Sequence, residues 1–309
     1  MLVEELDFRI IRAILMGEDY WTTNRVSVAS IAKQLDVHPN TVHTHVKKLS
    51  DHKFFLPPAA MVDPAPLGIY ASRAFYPLPL EKRTAAAEAA LFDVDGLHSV
   101  FQYLDGWDVN VFAEDPEGIA SRLRLCQAVL GAPSMELETP MRPEGPVPSR
   151  ARLGDMDLRV AVELLENQRA PLSQVSARVG ATVRTVERRL GKLQKDGVLR
   201  AFPRLECDAE GAVVGYLRAD YGASASAAVW ASLLNAIPRH FGRGRMRSRS
   251  WFWVYGASVA EVEQAAGRAR GVAGVTSVRL RFVLRIHHNP GFVPWLTRVL
   301  KRRLGDATG

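Results

Sequence analysis

The chain carries one amphipathic pattern twice, at an offset of 144 residues. TVHTHVKKLSDHKFF occupies positions 41–55, and TVERRLGKLQKDGVL occupies positions 185–199. Thr41 aligns with Thr185 and Leu49 with Leu193, whereas most of the differences fall at polar positions. Two ordinary helices can look alike by chance, so the segments around them decide whether the repeat is real.

The flanking segments follow the same order on both sides. Amphipathic helices are predicted over 6–16 and 27–35 and after His38, and again over 155–165 and 172–179 and after Thr182. In each third helix the apolar residues recur at helical spacing and define one buried face. Thr182 is the better N-cap, because its hydroxyl can accept an unpaired backbone N–H.

Each third helix is followed by a predicted two-stranded wing. On the left the strands are 54–56 and 59–63, with Pro57-Pro58 in the turn, and on the right they lie within 198–208. Three helices and a wing make a winged helix-turn-helix unit. The match extends over most of each copy, which indicates duplication.

A second pattern follows each wing, in the order strand, helix, strand, strand, helix, strand. It runs from GIYASRAFY to SMELET on the left and from AVVGYLRADY to TSVRLRFVLRI on the right. The βαββαβ order predicts a ferredoxin-like sandwich with helices on one face of an antiparallel sheet. Aromatic side chains are left over for the other face, which predicts two sheets that cover each other as an intramolecular pseudo-dimer; they are Tyr70, Phe75, Phe101, Tyr103, Trp251, Trp253 and Phe282.

The expected fold class is therefore α+β, with two winged helix-turn-helix units that each precede a ferredoxin-like βαββαβ domain. Four prolines between Pro140 and Pro148 predict a stiff spacer between the halves. The expected boundaries are 1–63 and 64–139 for the first pair of domains, 140–152 for the linker, 153–208 and 209–288 for the second pair, and 289–309 for a C-terminal basic helix.

Charge is divided unevenly between the halves. Residues 1–150 hold 14 Lys and Arg against 20 Asp and Glu, whereas residues 151–309 hold 26 against 13. A basic half favours a polyanionic partner, nucleic acid before a membrane surface, and the alternative is a solubilising surface charge. No apolar run approaches the roughly 18 residues of a membrane span, the N-terminus lacks a signal-peptide pattern, and Cys126 and Cys207 suggest no disulfide framework. We expect a cytoplasmic protein.

This order of domains resembles the leucine-responsive/asparagine regulator (Lrp/AsnC) family of transcription factors. The left copy has LD at 6–7, the run VASIAKQLDVHPNTVHTHVKKL and VDPAPLG at 62–68. LDGWDVNVF (104–112) resembles the family's Gly-x-x-Asp turn through Gly106 and, two residues on, Asp108, a spacing that varies in the family, whereas the right copy has SRSWFWVYG there. The resemblance covers almost the whole chain twice, as in long tandem members. It implies binding to double-stranded DNA, an amino-acid-like effector near Gly106 and Asp108, and association into higher homo-oligomers.

The third helix of each unit carries the candidate DNA contacts. On the right, Arg184, Glu187 and Arg188 face the groove; arginine can bind guanine O6 and N7 with two donors, and glutamate can accept from cytosine N4. Thr185, Arg189 and Lys192 are assigned to the DNA backbone. On the left the candidates are Asn40, Thr41, His43, Thr44, Lys47 and Lys48. The alternative for both helices is a solvated polar face.

Catalytic and metal-binding patterns are weak in this sequence. No Gly-rich phosphate loop, Ser/His/Asp set or Cys cluster appears, and His43 and His45 are too close in sequence to share a helix face. His287-His288 is typical of a polar strand end. We expect no metal, no cofactor and no enzyme activity, and the basic helix at 292–304 is expected to act as a lid or a phosphate contact.

Two other functional classes stay open. Siroheme decarboxylases have this architecture, sometimes as two fused halves, and strand arginines would suit an acidic tetrapyrrole; they are Arg245, Arg247, Arg249, Arg279, Arg281 and Arg285. The other class is an oligomerisation or sensor module that never binds DNA.

Overall fold

The helices and strands alternate as expected through both halves of the chain. The computed structural model describes residues 4–16, 28–51, 55–139, 153–167, 170–205 and 213–306. The first half contains α1 Glu5–Met16, α2 Val28–Leu35, α3 Pro39–Asp51, β1 Phe55–Val62, β2 Tyr70–Pro77, α4 Ala85–Phe92, β3 Leu97–Tyr103, β4 Gly106–Ala113, α5 Pro116–Leu130 and β5 Glu136–Thr139. The predicted linker at 140–152 lies outside the described residues.

The second half repeats this order and adds one helix. It contains α6 Asp155–Glu166, α7 Leu172–Val179, α8 Val183–Lys195, β6 Leu199–Leu205, β7 Val213–Tyr221, α9 Ser226–Ala236, β8 His240–Arg245, β9 Arg249–Gly256, α10 Val259–Arg270, β10 Val275–His288 and α11 Phe292–Asp306. The expectation of an α+β chain with a winged helix-turn-helix and antiparallel sheets is confirmed. Internal duplication stays a prediction.

The large sheet has the order β5-β2-β4-β3-β10-β7-β9-β8. Each half alone has its fourth strand beside its first, then its third and second, which is the ferredoxin-like order. The halves join where β3 pairs antiparallel with β10, for example Phe101 with Ile286. The seam between the halves is therefore partly a backbone ladder.

The wings differ from the prediction of two separate hairpins. β1 and β6 are single strands that pair with each other, antiparallel, with Ala60 opposite Ala201. The ladder shifts register between Leu56 and Ala59, so Pro57-Pro58 lies at an irregularity of one strand and not in a turn. Proline has no N–H for a ladder, and a bulge tolerates it.

Aromatic side chains fill the space between the two halves of the sheet. The rings of Phe101 and Trp253 lie 5.0 Å apart, and those of Tyr103 and Tyr216 lie 6.4 Å apart. Two of the aromatic residues assigned to this face lie elsewhere: Tyr70 packs against the core beneath α4 and α5, and Phe282 packs against the core beneath α9 and α10. Their strand positions point to the helices, because successive side chains of a strand alternate between faces.

Helices also cross from one half to the other. α1 lies on the second half, where Phe8 stacks on Tyr255 with ring centroids 6.0 Å apart. α11 packs on α6 through Trp295 and Val299, and its Phe292 ring lies 5.0 Å from that of Phe112 in β4. Each half therefore completes a core of the other.

The C-terminal helix is neither a lid on the open sheet nor a free basic surface. Its cations pair with carboxylates of other elements, Arg298 with Asp95, Lys301 with Glu166 and Arg302 with Glu114. The apolar face of α11 therefore has a structural role against α6, and the expected phosphate contact of its exposed basic residues stays a prediction.

Candidate nucleic-acid interface

α8 is held by one apolar stripe and one cap. Val186, Leu190 and Leu193 are buried at helical spacing against α6 and α7. The Thr182 hydroxyl accepts the backbone N–H of Thr185 at 3.2 Å, as its position predicts. Because the stripe fixes the rotation of the helix, the residues between its members face outward.

The three groove-facing candidates of α8 lie on this outer face. Arg184, Glu187 and Arg188 are exposed, and none of them forms a hydrogen bond or ion pair with any residue that the structure describes. Two cations and one acceptor are thus left for an external ligand. That these side chains enter a DNA groove stays a prediction.

The two basic residues assigned to DNA phosphates have an internal partner instead. Lys192 Nζ lies 2.5 Å from Asp157 Oδ2, and Arg189 Nη1 lies 3.3 Å from Asp157 Oδ1. Asp157 also accepts the backbone N–H of Gly154 at 3.0 Å and so caps α6. Burial opposes the charge of Asp157, but the bond from Lys192 and the other two partners outweigh it and hold its pKa below the usual range.

The first unit has the same arrangement around Asp7. His45 Nδ1 lies 2.6 Å and Lys48 Nζ 3.2 Å from its carboxylate, and Asp7 caps α1 through the Glu4 N–H at 2.8 Å. Lys48 also binds Glu4 at 2.7 Å, and this bond raises the pKa of Lys48. Neither Asp7 nor Asp157 was identified from the sequence as a holder of the third helix. The sequence feature that could have identified this role is the aspartate in the first turn of both α1 and α6.

α3 presents a weaker outer face than α8. Asn40, His43 and Lys47 are exposed, whereas Thr41 is half-buried. The Thr44 hydroxyl donates to the Asn40 carbonyl at 2.9 Å and is therefore bound to the backbone of its own helix. His38 accepts the Asn40 N–H on its ring nitrogen at 3.2 Å and so caps α3.

The expected effector positions lie between the two halves of the large sheet. Asp108 is fully buried, accepts a hydrogen bond from the Tyr103 hydroxyl at 2.7 Å and pairs with Arg73. Gly106 is pressed against Tyr76, because a Cβ there would lie 2.2 Å from the Tyr76 carbonyl oxygen. Asp108 is thus part of a filled polar cluster and not the wall of an open pocket.

Other charges complete this cluster, which the sequence did not predict. Arg73 lies over the ring of Tyr216 at 4.0 Å, and Arg281 lies over that of Phe75 at 3.5 Å. Arg218 and Arg281 both bind the buried carboxylate of Glu138. Burial opposes the charge of Glu138, but the Arg281 bond outweighs it and lowers its pKa.

Three of the six strand arginines considered for an acidic tetrapyrrole are paired with carboxylates. Arg249 binds Asp220 at 2.7 Å, Arg279 binds Glu136, and Arg281 binds Glu138. Arg245 is exposed. Within the described residues, no three His, Cys, Asp or Glu side chains are placed to hold a metal ion, and no helix there has the length and apolarity to cross a membrane.

Comparison with known proteins gives two kinds of likeness. Residues 155–200 match the winged helix-turn-helix DNA-binding family. The structure of the siroheme decarboxylase NirDL with an iron-uroporphyrin III analogue matches with 13% identity and a TM-score of 0.56, covering 98% of this chain and all of that one. A second structure of NirDL matches with 12% identity and a TM-score of 0.55, over 97% of this chain and 99% of that one.

Regulators match over a shorter span. The leucine response regulatory protein LrpA of Mycobacterium tuberculosis has 24% identity and a TM-score of 0.36, over 43% of this chain and 93% of that one. AsnC of E. coli has 19% identity and a TM-score of 0.34, over 48% of this chain and 96% of that one. No curated protein sequence matches.

The expectation that the chain has no enzyme activity is wrong as a deduction from its motifs. The solved structures that match nearly the whole chain belong to an enzyme, and they share its fold at low identity. One architecture can carry unrelated functions, so the absence of familiar catalytic motifs does not exclude catalysis. The helix-turn-helix of 155–200 is established independently by its own family match.

Proposed function

We propose that the chain is a sequence-specific DNA-binding transcriptional regulator that reads duplex DNA with α8 and α3. The observation that carries the proposal is the outer face of α8. It lies in the segment that matches a DNA-binding family, and its Arg184, Glu187 and Arg188 have no partner among the described residues. If this face contacted only solvent, nothing would require two unpaired cations at the positions that would enter a DNA groove.

Each residue of α8 has a distinct role in this proposal. Arg184 and Arg188 bind guanine edges, and Glu187 accepts from cytosine. Arg189 and Lys192 position the helix through Asp157. Because their side chains stay 32% and 36% exposed, they can also approach phosphates once the helix lies in the groove.

The two units should read unlike half-sites. α3 offers Asn40, which suits adenine, and α8 offers two arginines, which suit guanine. Half-sites read by paired helices lie about one helical turn apart, near 34–36 Å. We expect a G-rich half and an A/T-richer half at about 10 base pairs or a small multiple, and we regard the two units as an internal duplication.

The test is selection from a random duplex library with wild-type protein and Arg188→Ala. The variant should relax base preference in the G-rich half alone, at a cost of roughly 1–3 kcal/mol. Lys195→Ala, an exposed cation at the end of the same helix, is the matched control and should leave the preference intact. A palindromic winner, or an Arg188→Ala profile identical to wild type, would refute this assignment.

An effector is the finer part of the proposal and rests on the resemblance at Gly106 and Asp108. An amino-acid-like ligand would act next to a buried carboxylate that is already bound by Arg73. The melting temperature with and without each amino acid tests it. If no amino acid shifts the melting temperature, or if Asp108→Asn keeps the shift, no effector binds at this position.

A second candidate is a siroheme-decarboxylase-like enzyme, favoured by the full-length likeness to NirDL. Against it, the strand arginines Arg249, Arg279 and Arg281 are paired with carboxylates. Titration with a carboxylated iron tetrapyrrole separates the candidates, because binding should change its visible absorbance. A saturable change that duplex DNA does not compete away would favour the enzyme.

A further inference from the structure

The hairpin of β8 and β9 is a cationic element that lies outside both recognition helices. Its segment HFGRGRMRSR, residues 240–249, holds four arginines and no acidic residue. β8 is the outermost strand of the large sheet, and Arg243 and Arg245 are both exposed on it. Arg249 is the member that turns inward, to Asp220.

Alternation along β8 puts the two exposed arginines on one side. Residues two apart in a strand share a face, so Arg243 and Arg245 lie opposite the face of Gly244. A Cβ at Gly244 would lie 2.3–2.6 Å from Trp251, so the indole lies across this glycine. The glycine face is filled by tryptophan. On the other face Arg243 lies opposite Phe252, with its guanidinium 5.9 Å from the Trp230 ring of α9, and both Arg243 and Arg245 stay exposed.

α1 continues the row of cations toward the first helix-turn-helix. Arg9 donates to the Leu35 carbonyl at 3.2 Å, at the end of α2, and Arg12 donates to the Pro238 carbonyl at 3.1 Å, just before β8. Residues three apart are neighbours on a helix surface. The arginine stripe, defined as Arg9, Arg12, Arg243 and Arg245, thus runs from the turn before α3 to the sheet edge.

The stripe keeps its charge. None of its four members pairs with a carboxylate among the described residues, unlike the adjacent Arg239, which binds Glu5 and Glu261. Burial and the nearby charge of Arg12 lower the pKa of Arg243. Burial, together with Arg12 and Arg243, lowers the pKa of the neighbouring His240 to about 4. Like charges are therefore held close together without an internal anion.

A row of cations suits a ligand with repeated negative charges. Arg9 and Arg12 are about 4.5 Å apart along α1, and Arg243 and Arg245 are about 6.6 Å apart along β8, so the four side chains extend over a length that one small anion does not span. The exposed side chains of β8 whose burial is described are arginines. The chemistry fits a phosphodiester backbone.

We infer that the arginine stripe binds the phosphates of duplex DNA that flank the half-site read by α3. The inference rests on the proposed function and deepens it. The outer face of α3 is poor in cations, because Lys48 is bound to Glu4 and Asp7. The second half of the chain thus supplies the first reader with phosphate contacts, through the docking of α1 on β8.

The test measures affinity for the selected duplex across a salt series, with flanks of full length and with the α3-side flank removed. Arg243→Ala/Arg245→Ala should lower the slope of log affinity against log salt by roughly 1.8, at about 0.9 per phosphate contact. It should shorten the footprint on one side and leave base preference unchanged. Arg124→Ala/Arg270→Ala, exposed cations on α5 and α10, is the matched control and should keep the wild-type slope.

The outcomes separate this inference from the proposed function. If the β8 variant keeps the wild-type salt slope while Arg188→Ala loses base preference, the arginine stripe does not bind phosphates, and α8 still reads the bases. A lower slope in the β8 variant, with Arg188→Ala unaffected, would keep the stripe and overturn the assignment to α8. Absence of salt-dependent duplex binding by the wild type would overturn both.

Discussion

At the scale of single residues, Asp7 and Asp157 explain how each third helix is held. Each aspartate caps the first helix of its unit and binds cations of the third helix. A buried carboxylate with several donors is stabilising only while the donors are present. The third helices are therefore positioned by ionic contacts as well as by their apolar stripes.

Asp157→Asn should lower the free energy of unfolding by about 1–3 kcal/mol, because Lys192 and Arg189 lose their counterion. Denaturant titration at neutral pH measures this. Asp155→Asn, exposed in the same helical turn, is the control. Since the pKa of Asp157 is lowered by folding, its contribution is present above the ordinary aspartate pKa and is lost as the pH falls through the folded value. Equal stability of both variants would contradict the role of Asp157.

His240 predicts a pH dependence of stability. The residue is fully buried beside Arg12 and Arg243 and its ring lies 2.6 Å from the Ile237 carbonyl, with a pKa of about 4. Between pH 4 and 6.5 the unfolded chain binds the extra proton, so stability should rise with pH across that window. The full effect is on the order of 3 kcal/mol, at about 1.4 kcal/mol per pKa unit.

His240→Gln should reduce the slope of stability against pH in this window, to which buried His98, with a pKa lowered by burial to about 3, also contributes. Denaturant midpoints at pH 4.5, 5.5 and 6.5 measure the slope, and His43→Gln, exposed on α3, serves as the control. An unchanged slope in His240→Gln would show that other groups cause the pH dependence.

At the scale of elements, α11 is the clearest case of a segment whose role its own pattern leaves undecided. Its basic residues suggested a surface contact, yet its apolar face belongs to the core shared with α6. The wings are a second case, because β1 and β6 form one ladder between the halves. Both elements connect the winged units to the remainder of the chain.

Trp295→Ala should reduce the free energy of unfolding by about 3–5 kcal/mol, as expected for a large core side chain. Trp295 is 5% exposed and packs with α6, whereas Leu125 on α5 is 50% exposed. Leu125→Ala should therefore change stability by less than about 0.5 kcal/mol. Comparable losses in the two variants would mean that α11 is not part of a core.

At the scale of the whole molecule, the halves depend on each other. α1 stacks on the second half through Phe8 and Tyr255, and α11 reaches the first half at Phe112. The polar cluster between the two halves of the large sheet joins Arg73 to Tyr216 and Glu138 to Arg281. None of these contacts exists in an isolated half.

The fragments 1–139 and 153–309 should therefore aggregate when expressed separately and form a one-to-one complex when expressed together. Each fragment exposes the apolar and charged surfaces that the other covers. Size-exclusion chromatography with light scattering measures the assembly, and the intact chain is the control. A soluble, monomeric 1–139 fragment with a two-state melt would contradict the interdependence of the halves.

Local patterns in the sequence determined most elements of this protein. Helical spacing of Val186, Leu190 and Leu193 placed the outward face of α8, and the βαββαβ order placed both ferredoxin-like strand sets. Such patterns depend on neighbours within a few residues, so a sequence shows them directly. Whether the chain has enzyme activity could not be deduced in this way, because a shared fold does not determine chemistry.

Only the tertiary structure decided which surfaces meet. It paired β1 with β6, set α1 beside β8, and placed Asp157 against Lys192. It also neutralised Arg249 and Arg281 while leaving Arg243 and Arg245 exposed, although the same residue type stands at all four positions. The physical reason is that pairing and burial depend on contacts between distant segments. The charge of an arginine can be read from the sequence, but its partner is decided by the packing of the folded chain.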